Sequence, residues 1–205
     1  MGSHMRTAPL RGSSRGFTLI EILLVVALIG IVSAIAVPMM GNQMKFFRLS
    51  GDARSTSNAI ALAKMRAASI YSRSRMFFDL TAKSYRLETY DKTTSAWVIE
   101  SGATYLSQGV SFGFGVVGTA PPNTQGTIGQ APLCKTAAGV DIAATACVMF
   151  NSRGLPIDST GSLPGEVYAI YVTDSTAVFG VTVSQTGMVR TWRTQPVATP
   201  TWTLH

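Results

Sequence analysis

One acidic residue at the start of a membrane-length apolar segment constrains this chain more than any other feature. Glu21 directly precedes the apolar run from Ile22 to Val37, and the segment 17–37 is long enough to cross a bilayer as a helix. A carboxylate at membrane depth costs about 3 kcal/mol, so it is retained there only with a partner or a function. The segment therefore predicts a transmembrane helix that carries a functional acid.

The residues before this segment form a short basic leader. Residues 1–5 (Met-Gly-Ser-His-Met) are typical of a cloning scar and are left out of the fold prediction. Residues 6–16 contain Arg6, Arg11 and Arg15. Basic residues flank membrane segments on the cytoplasmic side, so the leader is expected in the cytoplasm and the rest of the chain on the other side of the membrane.

The junction between leader and apolar segment has a specific sequence, Gly-Phe-Thr-Leu-Ile-Glu, at 16–21. It resembles the N-terminus of type IV pilins and of type II secretion pseudopilins. The resemblance implies that a prepilin peptidase cleaves between Gly16 and Phe17, that the new Phe17 amine is methylated, and that Glu21 pairs with this amine on a neighbouring subunit. Other pilins in a filament are then the partners. Pro38 is expected to kink the helix or melt it locally, because proline removes a backbone donor.

An ordinary secretory signal peptide is the competing interpretation of the same segment. Ala34-Ile35-Ala36 is an acceptable cleavage site after an apolar core, and cleavage there would release a soluble binding domain that begins at Val37. This alternative is disfavoured because Glu21 interrupts the hydrophobic segment and because the Gly-Phe-Thr-Leu-Ile-Glu sequence would then have no explanation.

The pattern after the membrane segment predicts an α+β domain. Apolar residues at helical spacing extend the helix, with an amphipathic part at 38–75, to about Ser74. The region 76–205 then predicts an antiparallel β domain. A long N-terminal helix packed on antiparallel strands is the pilin fold that the resemblance implies. Expected strands are 76–80, 84–90, 96–100, 110–117, 146–150, 167–173, 178–184 and 188–192, with a long loop at 118–146 and a fraying tail at 194–205.

Two cysteines are present, Cys134 and Cys147, in the part of the chain predicted to lie outside the cytoplasm. Their spacing fits neither a zinc site nor a redox motif. A structural disulfide between them is expected, and it would contribute about 3 kcal/mol by the chain-entropy model.

Two short elements in the β region narrow the resemblance. Phe150 and Gly154 match a Phe-x-x-x-Gly element, and Gly187 and Arg190 match a closing Gly-x-x-Arg strand, as in the GspH/FimT branch of minor pilins and pseudopilins. Some members of this branch bind DNA through a Gly-Arg-x-Arg element, whose first arginine is replaced here by Met188.

DNA uptake is therefore an alternative function. Its candidate residues are Arg190 and Arg193 around Trp192, together with Arg73 and Arg75, because arginines beside an aromatic ring can bind phosphates and bases. The competing interpretation is an edge strand that its charges protect from pairing.

Catalysis is not predicted. Outside residues 1–5 the only histidine is His205, the acids are dispersed, and the glycine-rich segments lack a phosphate-binding lysine. No catalytic residue, metal site or cofactor is expected. The sequence predicts a minor pilin or pseudopilin, held in the inner membrane by one helix with its β domain in the periplasm, and it does not distinguish a pilus from a secretion pseudopilus.

Overall fold

The computed structural model describes residues 16–205, except for the side chains of 37–42. Two compact units divide the chain, one ending at Asn42 and the other formed by Gln43–His205. The predicted cloning scar at 1–5 and the leader at 6–16, apart from Gly16, lie outside the described residues.

One helix, α1, begins at Leu19 and ends at Ser69. Its segment Leu19–Ala36 has a mean hydropathy of 2.8 and is long and apolar enough to cross a membrane. The helical backbone continues through Pro38, so the predicted interruption is not a break in the helix. The side chain of Pro38 lies outside the described residues.

The helix ends earlier than the predicted Ser74. Tyr71 adopts a positive φ of 50°. Around it the N–H of Ser72 donates to the carbonyl of Ala67, and the N–H of Tyr71 donates to that of Ala68. These two bonds form a Schellman C-cap, in which the residue at the left-handed position is normally glycine. Arg73 and Arg75 therefore lie beyond the helix.

Two antiparallel sheets follow the helix. The strands are β1 Ser74–Asp79, β2 Ser84–Asp91, β3 Ala96–Ile99, β4 Thr104–Tyr105, β5 Ser111–Phe112, β6 Thr145–Phe150, β7 Pro156–Ile157, β8 Tyr168–Thr173, β9 Val178–Val183, β10 Val189–Thr194 and β11 Thr203–Leu204. The first sheet has the order β3-β2-β1-β6-β7, with β4 also paired to β2, and the second has the order β11-β10-β9-β8-β5. The predicted α+β class is confirmed.

The main core lies between the second half of α1 and both sheets. Ile60, Ala63 and Ala67, three residues of the predicted helical stripe, are fully buried there. Alternate residues of the strands face them, because successive side chains of a strand point to opposite faces. These strand residues include Met76, Phe78, Leu87, Val148, Phe150, Ile170, Val181 and Val183.

The opposite face of the first sheet is covered by part of the long loop predicted at 118–146. Phe77 packs there against Cys134, Cys147 and Ile142. The loop is attached to β6 by the N–H of Cys147, which donates to the carbonyl of Pro132 at 2.8 Å. The sheet thus has one face against the helix and one against a loop.

Two predictions about the β region are wrong. The strand predicted at 110–117 is a strand only at Ser111–Phe112. The N–H of Gly113 still donates to the carbonyl of Tyr171 in β8, and the positive φ of Gly115 follows, where the extended conformation has ended. The tail does not fray, since Thr203–Leu204 pairs with β10. His205 also lies 5.1 Å, between ring centroids, from Phe179.

Candidate functional site

The N-terminal end of α1 is formed by the residues of the Gly-Phe-Thr-Leu-Ile-Glu sequence. The hydroxyl of Thr18 accepts a hydrogen bond from the N–H of Glu21 at 3.3 Å, and the carbonyl of Thr18 accepts from Glu21 and Ile22. Thr18 is therefore the N-cap residue, with Glu21 three residues later in the arrangement of a capping box. Gly16 and Phe17 precede the helix and are exposed, Phe17 by 78%.

Glu21 lies in the first turn, where the partial positive charge of the helix N-terminus favours a carboxylate. Among the described residues, this carboxylate accepts no hydrogen bond and forms no ion pair, so the return bond of a full capping box is not made. Around it the apolar side chains from Leu19 to Ile35 are exposed on every side of the helix. In the structure, both the acid and the apolar surface are available to a partner.

The predicted arginines Arg73 and Arg75 are brought together by aromatic rings. The guanidinium carbon of Arg73 lies 4.1 Å from the ring centroid of Tyr90 and 5.9 Å from that of Trp97. The guanidinium carbon of Arg75 lies 4.0 Å from the Trp97 centroid. These are cation–π distances. The contacts hold both arginines on the outer face of the first sheet, which is the face that α1 does not cover.

Arg75 is not available to a ligand, because it is 3% exposed and already paired. Its guanidinium donates to Oε2 of Glu88 at 2.6 and 2.7 Å and to the carbonyl of Lys135 at 2.6 Å. Burial lowers the pKa of Arg75, and the pairing with Glu88 opposes this effect. Arg86 donates to the other oxygen of Glu88 at 2.7 Å. One buried carboxylate therefore holds two arginines in a structural network.

The structure separates Arg190 from Arg193. In the register of β9 and β10, Arg190 is opposite Thr182, whereas Arg193 is opposite Phe179. Their side chains lie on opposite faces of the second sheet, since they are an odd number of positions apart along the strand, with two residues between them. Arg193 stacks 4.6 Å from the Phe46 ring centroid on the helix side, and Arg190 donates to the sulfur of Met188. The two arginines do not form one site.

The two short motifs of the β region meet at a lysine of the helix. Gly154 and Gly187 have φ values of 73° and 76°. A Cβ atom on Gly187 would lie 2.7 Å from the carbonyl oxygen of Gly154 and 3.2 Å from Nζ of Lys64. Lys64 Nζ donates to the carbonyl of Gly187 at 2.9 Å. This glycine–lysine joint is a positioning element that connects turns of both sheets to α1. No pattern in the sequence predicts it, because its three residues are far apart along the chain.

The predicted disulfide is present between Cys134 and Cys147, which are 0% and 6% exposed. It joins the loop to β6 on the face of the first sheet that the helix does not cover. Among the residues described here, no group of three or more His, Cys, Asp or Glu is placed to hold a metal ion.

Comparison with protein families gives a match to the N-terminal segment. Residues 11–37 match the model of the prokaryotic N-terminal methylation motif. The chain has a prepilin-type N-terminus. Because this motif belongs to type IV pilin-like proteins, which are structural subunits, the match supports the prediction that the chain is not an enzyme. Together with the apolar helical segment Leu19–Ala36, it fits a membrane-anchored protein.

Two solved structures of the minor pseudopilin EpsH, from the type II secretion system of Vibrio cholerae, are similar to this chain. The first is 12% identical, with a TM-score of 0.45, over 70% of this chain and 95% of the other. The second is 13% identical, with a TM-score of 0.42, over 75% and 95%. Both similarities are too low to support a conclusion about function. No curated protein matches the sequence.

Proposed function

We propose that this chain is a minor pilin or pseudopilin, a structural subunit that a type IV pilus or a type II secretion pseudopilus incorporates after cleavage between Gly16 and Phe17. The observation that carries the proposal is the methylation-motif match over residues 11–37, which includes both residues of the cleavage site and Glu21. The prepilin peptidase and the other pilins of the filament are the proposed partners.

The exposed backbone at the cleavage site supports this processing step. Gly16 and Phe17 precede the first helical residue, Leu19, and no atom of the described residues 16–205 lies within 4 Å of a Cβ atom placed on Gly16. A peptidase needs non-helical backbone that it can approach closely, and glycine leaves the most room for that approach. Cleavage leaves a Phe17 amine two residues before the helix, where methylation would follow.

The proposed location is the inner membrane, with residues 43–205 in the periplasm. The leader arginines Arg6, Arg11 and Arg15 favour the cytoplasm for the N-terminal side. The disulfide between Cys134 and Cys147 favours an oxidising compartment for the β domain.

Assembly would depend on charge neutralisation in an apolar environment. The cationic Phe17 amine of one subunit and the Glu21 carboxylate of its neighbour are each costly in lipid, and pairing removes much of that cost. The exposed Leu, Ile and Val side chains of the segment Leu19–Ala36 then pack against neighbouring helices in the filament. Pro38 would allow the helix to kink or to melt locally where the apolar segment ends, because proline removes a backbone donor. The β domain stays on the outside and determines the contacts of this subunit.

The experiment is incorporation of Glu21→Ala into filaments, measured in sheared filament fractions and in membranes. We expect normal amounts in the membrane and loss from the filament. Thr18→Ala is the matched control, because it removes the N-cap at a cost of about 1 kcal/mol but keeps the carboxylate. If Thr18→Ala reduces incorporation into filaments as much as Glu21→Ala does, the carboxylate stabilises the N-terminus of the helix and does not pair subunits.

DNA uptake is a second proposal and is less well supported. Arg190 is exposed, which favours a contact with phosphates, whereas the Trp192 ring beside it is buried and does not offer a face to a base. Against it, Arg193 lies on the other face of the sheet and Arg75 is buried in an ion pair, so the four predicted arginines would not act together. Salt-sensitive binding of duplex DNA that Arg190→Ala abolishes would support this function.

A further inference from the structure

A cleft beside the C-terminal end of α1 contains two cations and is lined by no acidic residue. Its volume is about 230 Å³, and its charged lining residues are Arg73 and Lys92. The uncharged lining residues are Tyr71, Ser72, Tyr90, Asn151 and Ser152. The cleft lies wholly within the unit Gln43–His205 and apart from the N-terminal motif.

Arg73 lies on the face of the first sheet that α1 does not cover. The nearby carboxylate, Glu88, is fully engaged by Arg75 and Arg86. Arg73 forms no ion pair and donates no side-chain hydrogen bond among the described residues. Its guanidinium is held by Tyr90, over whose ring it stacks at 4.1 Å. Stacking occupies the flat face of a guanidinium and leaves its N–H edge free to bind a planar anion.

Lys92 supplies the second positive charge, and its ammonium group has N–H donors that are not used within the structure described here. Its ammonium donates to the carbonyl of Tyr71 at 2.6 Å, and two further N–H groups remain. Tyr71 itself is held at a positive φ of 50° and is 77% exposed. A non-glycine residue at the left-handed position of a helix cap is strained. This conformation places an aromatic side chain at the mouth of the cleft.

We propose that this cleft binds an acidic side chain of a partner protein. The free edge of Arg73 matches a carboxylate, Lys92 adds a second charge-assisted bond, and the Ser152 hydroxyl can donate a third. Arginine and tyrosine are also the residues most enriched at the energetic centres of protein interfaces. The proposal is independent of the filament role and of the N-terminal motif.

The observations favour a carboxylate of a different protein over a nucleic acid or a second copy of this chain. Tyr90 is already stacked by Arg73 and Trp97 by Arg75, so neither ring offers these faces to a nucleic-acid base. A second copy of this chain is disfavoured, because residues 43–205 hold 14 Lys and Arg against 9 Asp and Glu and are therefore cationic like the cleft.

The test uses the full chain in detergent micelles and a terminally blocked fluorescent peptide that contains two glutamates. The reference peptide has glutamines at the same positions, and inorganic phosphate and a short DNA duplex are competitors. We expect the glutamate peptide to bind and the glutamine peptide not to bind. Arg73→Gln should weaken binding about tenfold, since a charge-assisted bond is lost. Arg73→Lys should be intermediate, because the charge remains but the planar fork does not.

Arg48→Gln is the matched control, because Arg48 is an exposed arginine on the helix that does not line the cleft. It should bind like the unaltered chain. Lys92→Gln gives a second test that does not disturb the Tyr90 stack, and it should weaken binding several-fold. The proposal is overturned if both peptides bind equally, if Arg73→Gln and Lys92→Gln bind like Arg48→Gln, or if phosphate or DNA binds more tightly than the glutamate peptide.

Discussion

The glycine–lysine joint gives a prediction whose size follows from the geometry. In Gly187→Ala the new Cβ must avoid the Gly154 carbonyl oxygen, 2.7 Å away, and the Lys64 ammonium, 3.2 Å away. The left-handed φ of 76° costs about 1 kcal/mol for alanine. Displacement of the crowded turn and weakening of the Lys64 bond add about 2 kcal/mol. The expected loss in the free energy of unfolding is therefore about 3 kcal/mol.

Gly161→Ala is the control for the backbone contribution. Gly161 has a φ of 89°, and no atom lies within 4 Å of a Cβ atom placed on it. It should lose only the conformational part, about 1 kcal/mol. The assay is urea unfolding of residues 43–205, followed by tryptophan fluorescence. If the two variants lose the same stability, the contact between the turns is not tight and the joint does not hold the sheets to the helix.

A partner variant tests whether Lys64 belongs to the joint. Lys64→Met removes the hydrogen bond to the Gly187 carbonyl and should cost about 1 kcal/mol. Combined with Gly187→Ala, it should cost less than the sum of the two single changes, because both remove the same contact. Additive losses in unfolding free energy would mean that the two residues act independently.

Two further predictions concern the disulfide and the tail. Replacing Cys134 and Cys147 together by alanine should lower the free energy of unfolding by about 3 kcal/mol, because a bridge across 13 positions of chain is lost; a change near zero in urea unfolding would contradict this. His205 has a lowered pKa owing to burial and to Arg54 and Arg193, so its docking should be complete above pH 6.5 and weaken as pH falls below that value. A protection factor at the amides of β11 that falls below pH 6.5, measured against the intrinsic exchange rate at each pH, is the expected result and should be absent in His205→Ala; protection factors with the same pH dependence in both proteins would refute it.

The fold class was predictable because its main signals are local. The apolar run, the buried stripe at Ile60, Ala63 and Ala67, and the alternating strands each follow from periodicity. The structure confirms them. The cysteine pairing was also predictable, since the sequence holds two cysteines and each can pair only with the other.

The wrong predictions concern features that depend on tertiary contacts, which the periodicity of apolar residues in the sequence does not show. The tail pairs with β10 because the strand edge is available in space, whereas its own sequence is polar and contains proline. The helix ends at Ser69 because Tyr71 adopts a left-handed conformation. That conformation is typical of glycine and is not predicted for a tyrosine. For the same reason Arg73 and Arg75 were assigned to a helix face.

The sites show the same division. Glu21 and the Gly16–Phe17 junction lie in a contiguous motif that the family match also covers, and their roles in pairing and cleavage stay predictions. The placement of the arginines was not evident from the sequence, because Arg190 and Arg193 differ by strand parity and Arg75 is neutralised by Glu88 from another strand. Gly154 and Gly187 were noted as motif residues, but their contact through Lys64 requires three separate segments of chain.

Mass spectrometry of the mature N-terminus, in a host that contains a prepilin peptidase, tests the central claim most directly. We predict a chain that begins at Phe17 and carries one methyl group on its amine. A chain that begins at Val37 would show ordinary signal-peptide cleavage after Ala36 and contradict the assignment as a pilin subunit. Retention of the uncleaved leader in that host would contradict it equally.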